Sequence, residues 1–155
     1  MRLRYLAMIA AAGLLAIFAV PSFAAINKVE LVSKLSGKKE IPGPGDKDAT
    51  GEAQVKLNVP KKKVRFAIEY QDMVEPFAGH IHKGDKANAG PIKVELFSSE
   101  TDSFPSPVTG VVEDVKKKLL KRIANNPQNF YVNLHNEEFE DGAIRGQLKL
   151  APRSN

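Results

Sequence analysis

The stretch Glu52-Ala53-Gln54-Val55-Lys56-Leu57-Asn58-Val59 alternates polar and apolar residues without a break. After Pro60 to Lys62, the run Lys63-Val64-Arg65-Phe66-Ala67-Ile68-Glu69-Tyr70 does so again. Period-two alternation puts every second side chain on one face of a strand. Two such runs around a short turn read as an antiparallel hairpin with one buried face.

Working outward, the same pattern recurs. Val29, Leu31 and Leu35 lead an extended segment into Ser36-Gly37. Ile41-Pro42-Gly43-Pro44-Gly45-Asp46 is a loop by its Pro and Gly content. Ile92, Val94 and Leu96 follow Gly90-Pro91 at spacing two. Phe130, Val132 and Leu134 form another set, as do Ile144, Leu148 and Leu150. A loop is expected between Phe104 and Pro107. Glu113 to Asn125 departs from the alternation. There Val115, Leu119, Leu120 and Ile123 follow helical spacing, with Asp114 as the expected N-cap and Asn125-Asn126-Pro127 as the stop. The expected fold is mainly β: an antiparallel β-sandwich of the immunoglobulin-like or superoxide-dismutase-like Greek-key kind, with one short helix.

The N-terminus has a different grammar. Arg2 and Arg4 precede an apolar run from Leu6 to Val20, which Pro21 breaks before Ser22-Phe23-Ala24. A basic start, a short apolar run and small residues at −3 and −1 describe a secretory signal peptide over residues 1–24. The run is short for a membrane-spanning helix. Residues 25–155 are then one domain, secreted or periplasmic, with no membrane span after cleavage. Cleavage removes two arginines and lowers the formal charge of +5 by two, so basicity says little about partners.

The chain has no cysteine. Disulfide scaffolds, zinc fingers, thiol catalysis and thiolate-held clusters are excluded. The basic runs Lys61-Lys62-Lys63 and Lys116-Lys117-Lys118 have no interleaved aromatics for base stacking. They read as a solvated turn and a solvated helix face, and no nucleic-acid partner is expected. Phosphate-binding loops, dinucleotide fingerprints and nucleophile elbows are absent from the sequence. Glu137, Glu138, Glu140 and Asp141 lack calcium-loop spacing and read as a solvated turn.

Three histidines carry the chemistry. They lie in Gly79-His80-Ile81-His82 and in Tyr131-Val132-Asn133-Leu134-His135. His80 and His82 are two apart and share a strand face. His135 is out of phase with Val132 and Leu134 and shares a face with Tyr131 and Asn133. If the apolar positions face the core, all three imidazoles point to the outer face. On neighbouring strands they would make a three-nitrogen metal site, which suits copper, zinc, nickel or iron and without thiolate is not strongly selective. On distant strands they would be solvated side chains. Arg145 is out of phase with Ile144 and Leu148. It reads either as an exposed cation near a metal or as a surface ion pair with Glu140 or Asp141.

Six blocks in order resemble the CHRD domain, the module named after chordin and also found in exported microbial proteins. They are Leu35-Ser36-Gly37-Lys38-Lys39-Glu40-Ile41-Pro42, Thr50-Gly51-Glu52-Ala53, Ala78-Gly79-His80-Ile81-His82-Lys83-Gly84, Ala89-Gly90-Pro91-Ile92, Tyr131-Val132-Asn133-Leu134-His135 and Asp141-Gly142-Ala143-Ile144-Arg145-Gly146-Gln147-Leu148. Ala89 stands where the family pattern usually has Asn, and Ala143 where it usually has Glu. The resemblance implies a β-sandwich and no settled activity. In chordin such domains belong to a protein that binds growth factors outside the cell.

A shorter resemblance links His80-Ile81-His82-Lys83-Gly84-Asp85 with Gly90-Pro91, and Val132-Asn133-Leu134-His135, to the copper-ligand strands of Cu/Zn superoxide dismutases. Gly142 to Arg145 is similar to the turn carrying their active-site Arg. The bridging His, the remaining zinc ligands and the disulfide of those enzymes have no counterpart here. Three readings follow: a non-enzymatic exported module holding copper, or zinc, on His80, His82 and His135; an extracellular protein- or glycan-binding module without metal; and a copper oxidoreductase in which Arg145 steers an anionic substrate.

Overall fold

A computed structural model describes residues 27–152. Strand β1 spans Lys28–Ser36, β2 Thr50–Asn58, β3 Lys63–Gln71, β4 Ala78–Lys83, β5 Ile92–Ser98 and β6 Val108–Val112. Helix α1 follows over Lys117–Asn125, then β7 Phe130–Asn136, β8 Phe139–Gln147 and the short β9 Lys149–Leu150. Single 3-10 turns occupy Gly37–Lys39 and Pro127–Asn129. Every strand pairing is antiparallel. The order across the sheet is β5-β4-β7-β8-β1-β2-β3-β6, with β9 also paired to β1.

The alternating hairpin is β2 and β3. Ala53, Val55, Leu57, Val64, Phe66, Ile68 and Tyr70 are all buried, while Lys56, Arg65 and Glu69 face out. The register pairs Val55 with Phe66 and Leu57 with Val64. Apolar residues therefore meet on one face, as the period dictates. The sheet curls until its two halves face each other across this core and edge strands β5 and β6 come close. Phe66 of β3 stacks with Phe97 of β5 at 6.0 Å between ring centroids, bridging the halves. The protein is thus mainly β, an antiparallel sandwich-like sheet nearly closed on itself.

The helix lies where its spacing placed it, but it begins later. Asp114 is not the N-cap: it has a positive φ of 56° and receives Lys62 Nζ at 2.7 Å, while Lys116 holds the cap position. Leu120 and Ile123 anchor the helix in the core, and it ends before Pro127 as expected. Strand β6 has no counterpart in the sequence reading. Thr109-Gly110 interrupts its apolar residues and hides the alternation. Ile92 and Leu150 were expected on buried faces. They are 50% and 62% exposed because both lie on sheet margins, β5 and β9.

The expected signal peptide, residues 1–24, lies outside the described residues. Among the described residues no helix is long and apolar enough to cross a membrane.

Candidate metal centre

Strands β4 and β7 are direct neighbours. Their register sets Ala78 opposite His135, His80 opposite Asn133 and His82 opposite Tyr131. The next strand, β8, sets Arg145 opposite Asn133 and Gln147 opposite Tyr131. One face of β4-β7-β8 therefore carries a polar lattice, and Ile81, Val132, Leu134 and Ile144 fill the core on the other face. The phase argument for the three histidines holds.

Their exposure differs from expectation. His80, His82 and His135 are only 8%, 8% and 7% exposed. The cause is a cover over the sheet. The loop between β4 and β5 folds back across it, and the start of β8 at Glu140 meets His135 on the other side. β7 is consequently buried at every position, on both faces.

The imidazoles converge. One ring nitrogen from each of the three lies within 4.8 Å of the others. Ring centroids are 4.9 Å apart for His80 and His135, and 5.5 Å for His80 and His82. His82 Nδ1 lies 2.8 Å from the Gly90 carbonyl, and His135 Nδ1 lies 2.8 Å from the Glu140 carbonyl. A carbonyl only accepts, so both Nδ1 atoms carry the proton and both Nε2 atoms keep a lone pair. Those two Nε2 atoms are buried without a partner, and so is His80 Nδ1. Buried nitrogens are ordinarily satisfied. Three clustered imidazoles, each with one orphaned nitrogen, are a donor set that a borderline metal ion fits, with backbone carbonyls engaging the other nitrogen of two rings.

Burial pushes the pKa of all three imidazoles down. For His80 the value falls to about 4, desolvation acting first and the neighbouring His135 and His82 second. For His82 desolvation outweighs the Gly90 bond, and for His135 it outweighs the Glu140 bond and Asp141. Neutral imidazole is the ligating form.

Gly90 makes this geometry accessible. A Cβ there would fall 1.7 Å from the Lys83 carbonyl oxygen, so only glycine lets the loop pass close enough to face His82. The Gly90 amide also donates to the Tyr131 hydroxyl at 3.2 Å, and the Tyr131 ring stacks on His82 at 4.9 Å.

Arg145 is neither exposed nor paired with Glu140 or Asp141. It is 1% exposed, with its guanidinium 3.7 Å from the Tyr131 ring centroid. Its Nη2 donates to the carbonyls of Asp85 at 2.9 Å and Asn88 at 3.4 Å. A strand residue under a returning loop meets backbone carbonyls first, and they supplant the surface carboxylates. Arg145 clamps the loop that orients His82. Glu140 and Asp141 are strand residues of β8, and with the Glu137-Glu138 turn they stay largely solvated.

Sequence reasoning missed Glu40. This carboxyl is buried beside Arg145 and Asn133, and its pKa rises to about 7 because desolvation outweighs Arg145 and the hydrogen bonds. A lone charged residue before a Pro-Gly loop has no periodic signal to mark it. Gly142, at φ +149°, makes room for it: a Cβ there would lie 2.7 Å from both Glu40 Oε2 and Asn133 Nδ2.

The model of the CHRD domain family matches residues 31–148, a span that contains all three histidines, Glu40 and Arg145. No match was found among curated proteins or among solved structures.

Proposed function

The chain belongs to the CHRD domain family, and we propose that it is an exported, non-enzymatic metal-binding module. His80, His82 and His135 are the proposed ligands, copper the preferred ion and zinc the second. The observation that carries this reading is that one ring nitrogen from each of three buried imidazoles lies within 4.8 Å of the others, while each ring keeps one buried nitrogen without a partner. Imidazole-only sites favour copper over zinc in the ordinary affinity order of divalent ions. Bonds near 2 Å at tetrahedral or trigonal angles put ligand nitrogens about 3.3 to 3.5 Å apart, so the widest-spaced ring nitrogens close by about 1 Å on binding. A bound ion would supply a Lewis-acid or redox centre. The chain's own residues hold the rings neutral, fix two of them through the Gly90 and Glu140 carbonyls, and exclude most water. Storage, delivery or buffering of the ion suits a site so enclosed. Export rests on the leader grammar of residues 1–24.

The test is calorimetric titration of copper and zinc into the protein and into a His80→Ala/His82→Ala variant. One-to-one binding with Kd below about 1 μM, abolished in the variant, is the expected result. Absence of binding to the unsubstituted protein would overturn the reading.

A second reading is favoured by a different observation. The outer face at the end of the β2–β3 hairpin forms a groove of about 370 Å³ lined by Lys28, Lys56, Lys61, Lys63 and Arg65. Glu30 is its one acidic lining residue and pairs with Lys56 at 3.0 Å. Such a surface suits an anionic protein or glycan partner. The oxidoreductase reading has less support, because the Arg145 guanidinium is engaged with loop carbonyls and Tyr131.

A further inference from the structure

The ligand set His80, His82 and His135 carries no negative charge. Imidazole ligates as the neutral ring, and the clustered group contains no carboxylate. The chain has no cysteine to add a thiolate. A bound ion therefore keeps its whole charge. Each imidazole is also more than nine-tenths buried, so that charge sits away from bulk water.

The nearest buried charge has the same sign as the ion. The strand order β4-β7-β8 sets Tyr131 between His82 and Arg145. The Tyr131 ring stacks on His82 at 4.9 Å between centroids, with 12° between the ring planes. On the same ring lies the Arg145 guanidinium, 3.7 Å from the centroid and 1% exposed. A fixed cation thus stands one ring away from a ligand. Among the described residues Arg145 forms no ion pair. Glu40 is the buried carboxyl beside it. Desolvation pushes the Glu40 pKa up to about 7, so at neutral pH it cancels only part of the guanidinium charge. Asp85 in the loop, and Glu140 and Asp141 at the start of β8, are exposed, where water and salt screen them.

Such a setting discriminates by charge. Moving an ion out of water costs free energy that grows as the square of its charge, and repulsion from Arg145 grows in proportion to it. An anionic ligand would offset both terms, and none is present in the cluster. Coordination number works in the same direction. Zinc on three protein ligands takes a water as its fourth donor, and cupric copper takes a tetragonal set. Both would have to carry water under the β4–β5 loop. Cuprous copper has a filled d shell, imposes no such geometry and accepts a three-donor set.

We propose that the cluster holds copper as the univalent cuprous ion, in preference to cupric copper and to zinc. The inference rests on the metal-binding reading and narrows it, from the element to its charge.

The experiment is a set of competition titrations of the full chain against chelators of known affinity. Cuprous copper is titrated anaerobically under ascorbate, cupric copper and zinc in air. Expected is one-to-one cuprous binding, tighter than either divalent ion by about 100-fold or more. Against cupric copper that preference places the bound couple about 120 mV above the aqueous one, at about 59 mV per tenfold. A potentiometric titration followed by the cupric electron paramagnetic resonance signal reads it on the unsubstituted chain. Arg145→Gln removes the cation and keeps a donor for the loop. It should raise zinc affinity relative to cuprous affinity by about tenfold, whereas loosening of the loop alone would weaken both ions alike. Zinc or cupric copper bound within about tenfold of cuprous copper, or a bound couple at or below the aqueous potential, overturns the proposal and leaves the metal-binding reading standing. Binding of none of the three ions overturns both. Equal changes for zinc and cuprous copper in Arg145→Gln overturn the part given to the guanidinium charge. The potential needs no variant, so it decides even if Arg145→Gln does not fold.

Discussion

His82 and Gly90 face each other across the start and end of one loop, with the His82 Nδ1 only 2.8 Å from the Gly90 carbonyl oxygen. A backbone atom thereby chooses the imidazole tautomer. The loop that supplies it is held down by Arg145 from β8, through the carbonyls of Asp85 and Asn88. Gln147 adds a third tether to the Gly84 carbonyl at 2.9 Å.

Gly90→Ala should act on the metal without touching a ligand. Its Cβ would clash with the Lys83 carbonyl oxygen, so the loop must move and His82 loses its acceptor. Loss of such an orienting contact lowers metal affinity by about 10- to 100-fold. Competition against a chelator of known affinity measures it. Affinity equal to that of the unsubstituted protein would show that the carbonyl does not matter.

Removing Arg145 should loosen the whole cover. Arg145→Ala leaves two loop carbonyls without their donor and uncovers the Tyr131 ring. Loss of a buried, hydrogen-bonded charge costs about 3 kcal/mol. Denaturant midpoints measure the loss, and a change under about 0.5 kcal/mol, the range of ordinary surface substitutions, would contradict the role assigned to it. Arg145→Lys keeps the charge but not the fork or the stacking, and should recover only part of the stability.

Acid stability should depend on two opposed groups. His80 titrates near 4 when folded, against 6.5 for a free imidazole, so the unfolded chain binds more protons between those values. Its contribution is complete above pH 6.5 and is lost as pH falls toward 4. His82 and His135 shift the same way. Glu40 runs in reverse: its folded value near 7 exceeds the ordinary 4.5, so its contribution is present at low pH and is lost as pH rises from 4.5 to 7. In metal-free protein the Glu40 shift therefore offsets the His80 loss between pH 7 and pH 4.5, and His82 and His135 leave a net loss in acid. Glu40→Gln removes the counterweight, and the acid loss should grow by up to about 3 kcal/mol. Urea midpoints across this range decide it, and parallel curves for the two proteins would refute the opposition.

Metal should stabilise what the cover encloses. If copper binds only the folded chain, an excess of about 100 times Kd raises unfolding free energy by about 2.7 kcal/mol. A thermal shift on copper addition, reversed by EDTA and absent in His80→Ala/His82→Ala, is the expected outcome. An equal shift in the variant would place the ion elsewhere.

Much of this arrangement was legible in the residues. Strict alternation in β2 and β3 settled their pairing, and the His-Ile-His spacing settled which face carries the imidazoles. Burial of that face was not legible. Alternation reports two faces of a strand and cannot tell a solvated face from one roofed by a loop. The β4–β5 loop contributes carbonyls, which every residue type possesses, so no residue pattern announces its contact with Arg145 or His82. Strand β6 escaped because Thr109-Gly110 breaks its period, and Glu40 because an isolated acid in a Pro-Gly setting carries no spacing. Asp114 had the chemistry of a cap, but its partner is Lys62, distant in sequence.

The roofing loop has one more consequence. Its ties to Arg145, His82 and Gln147 are made by oxygens of the main chain at Gly84, Asp85, Asn88 and Gly90. Lys86, Ala87 and Ala89 point outward and carry none of these bonds. A designer is therefore free to rewrite the lettering of those three positions but not to add or delete one. The imidazole cluster is specified by loop length more than by loop composition.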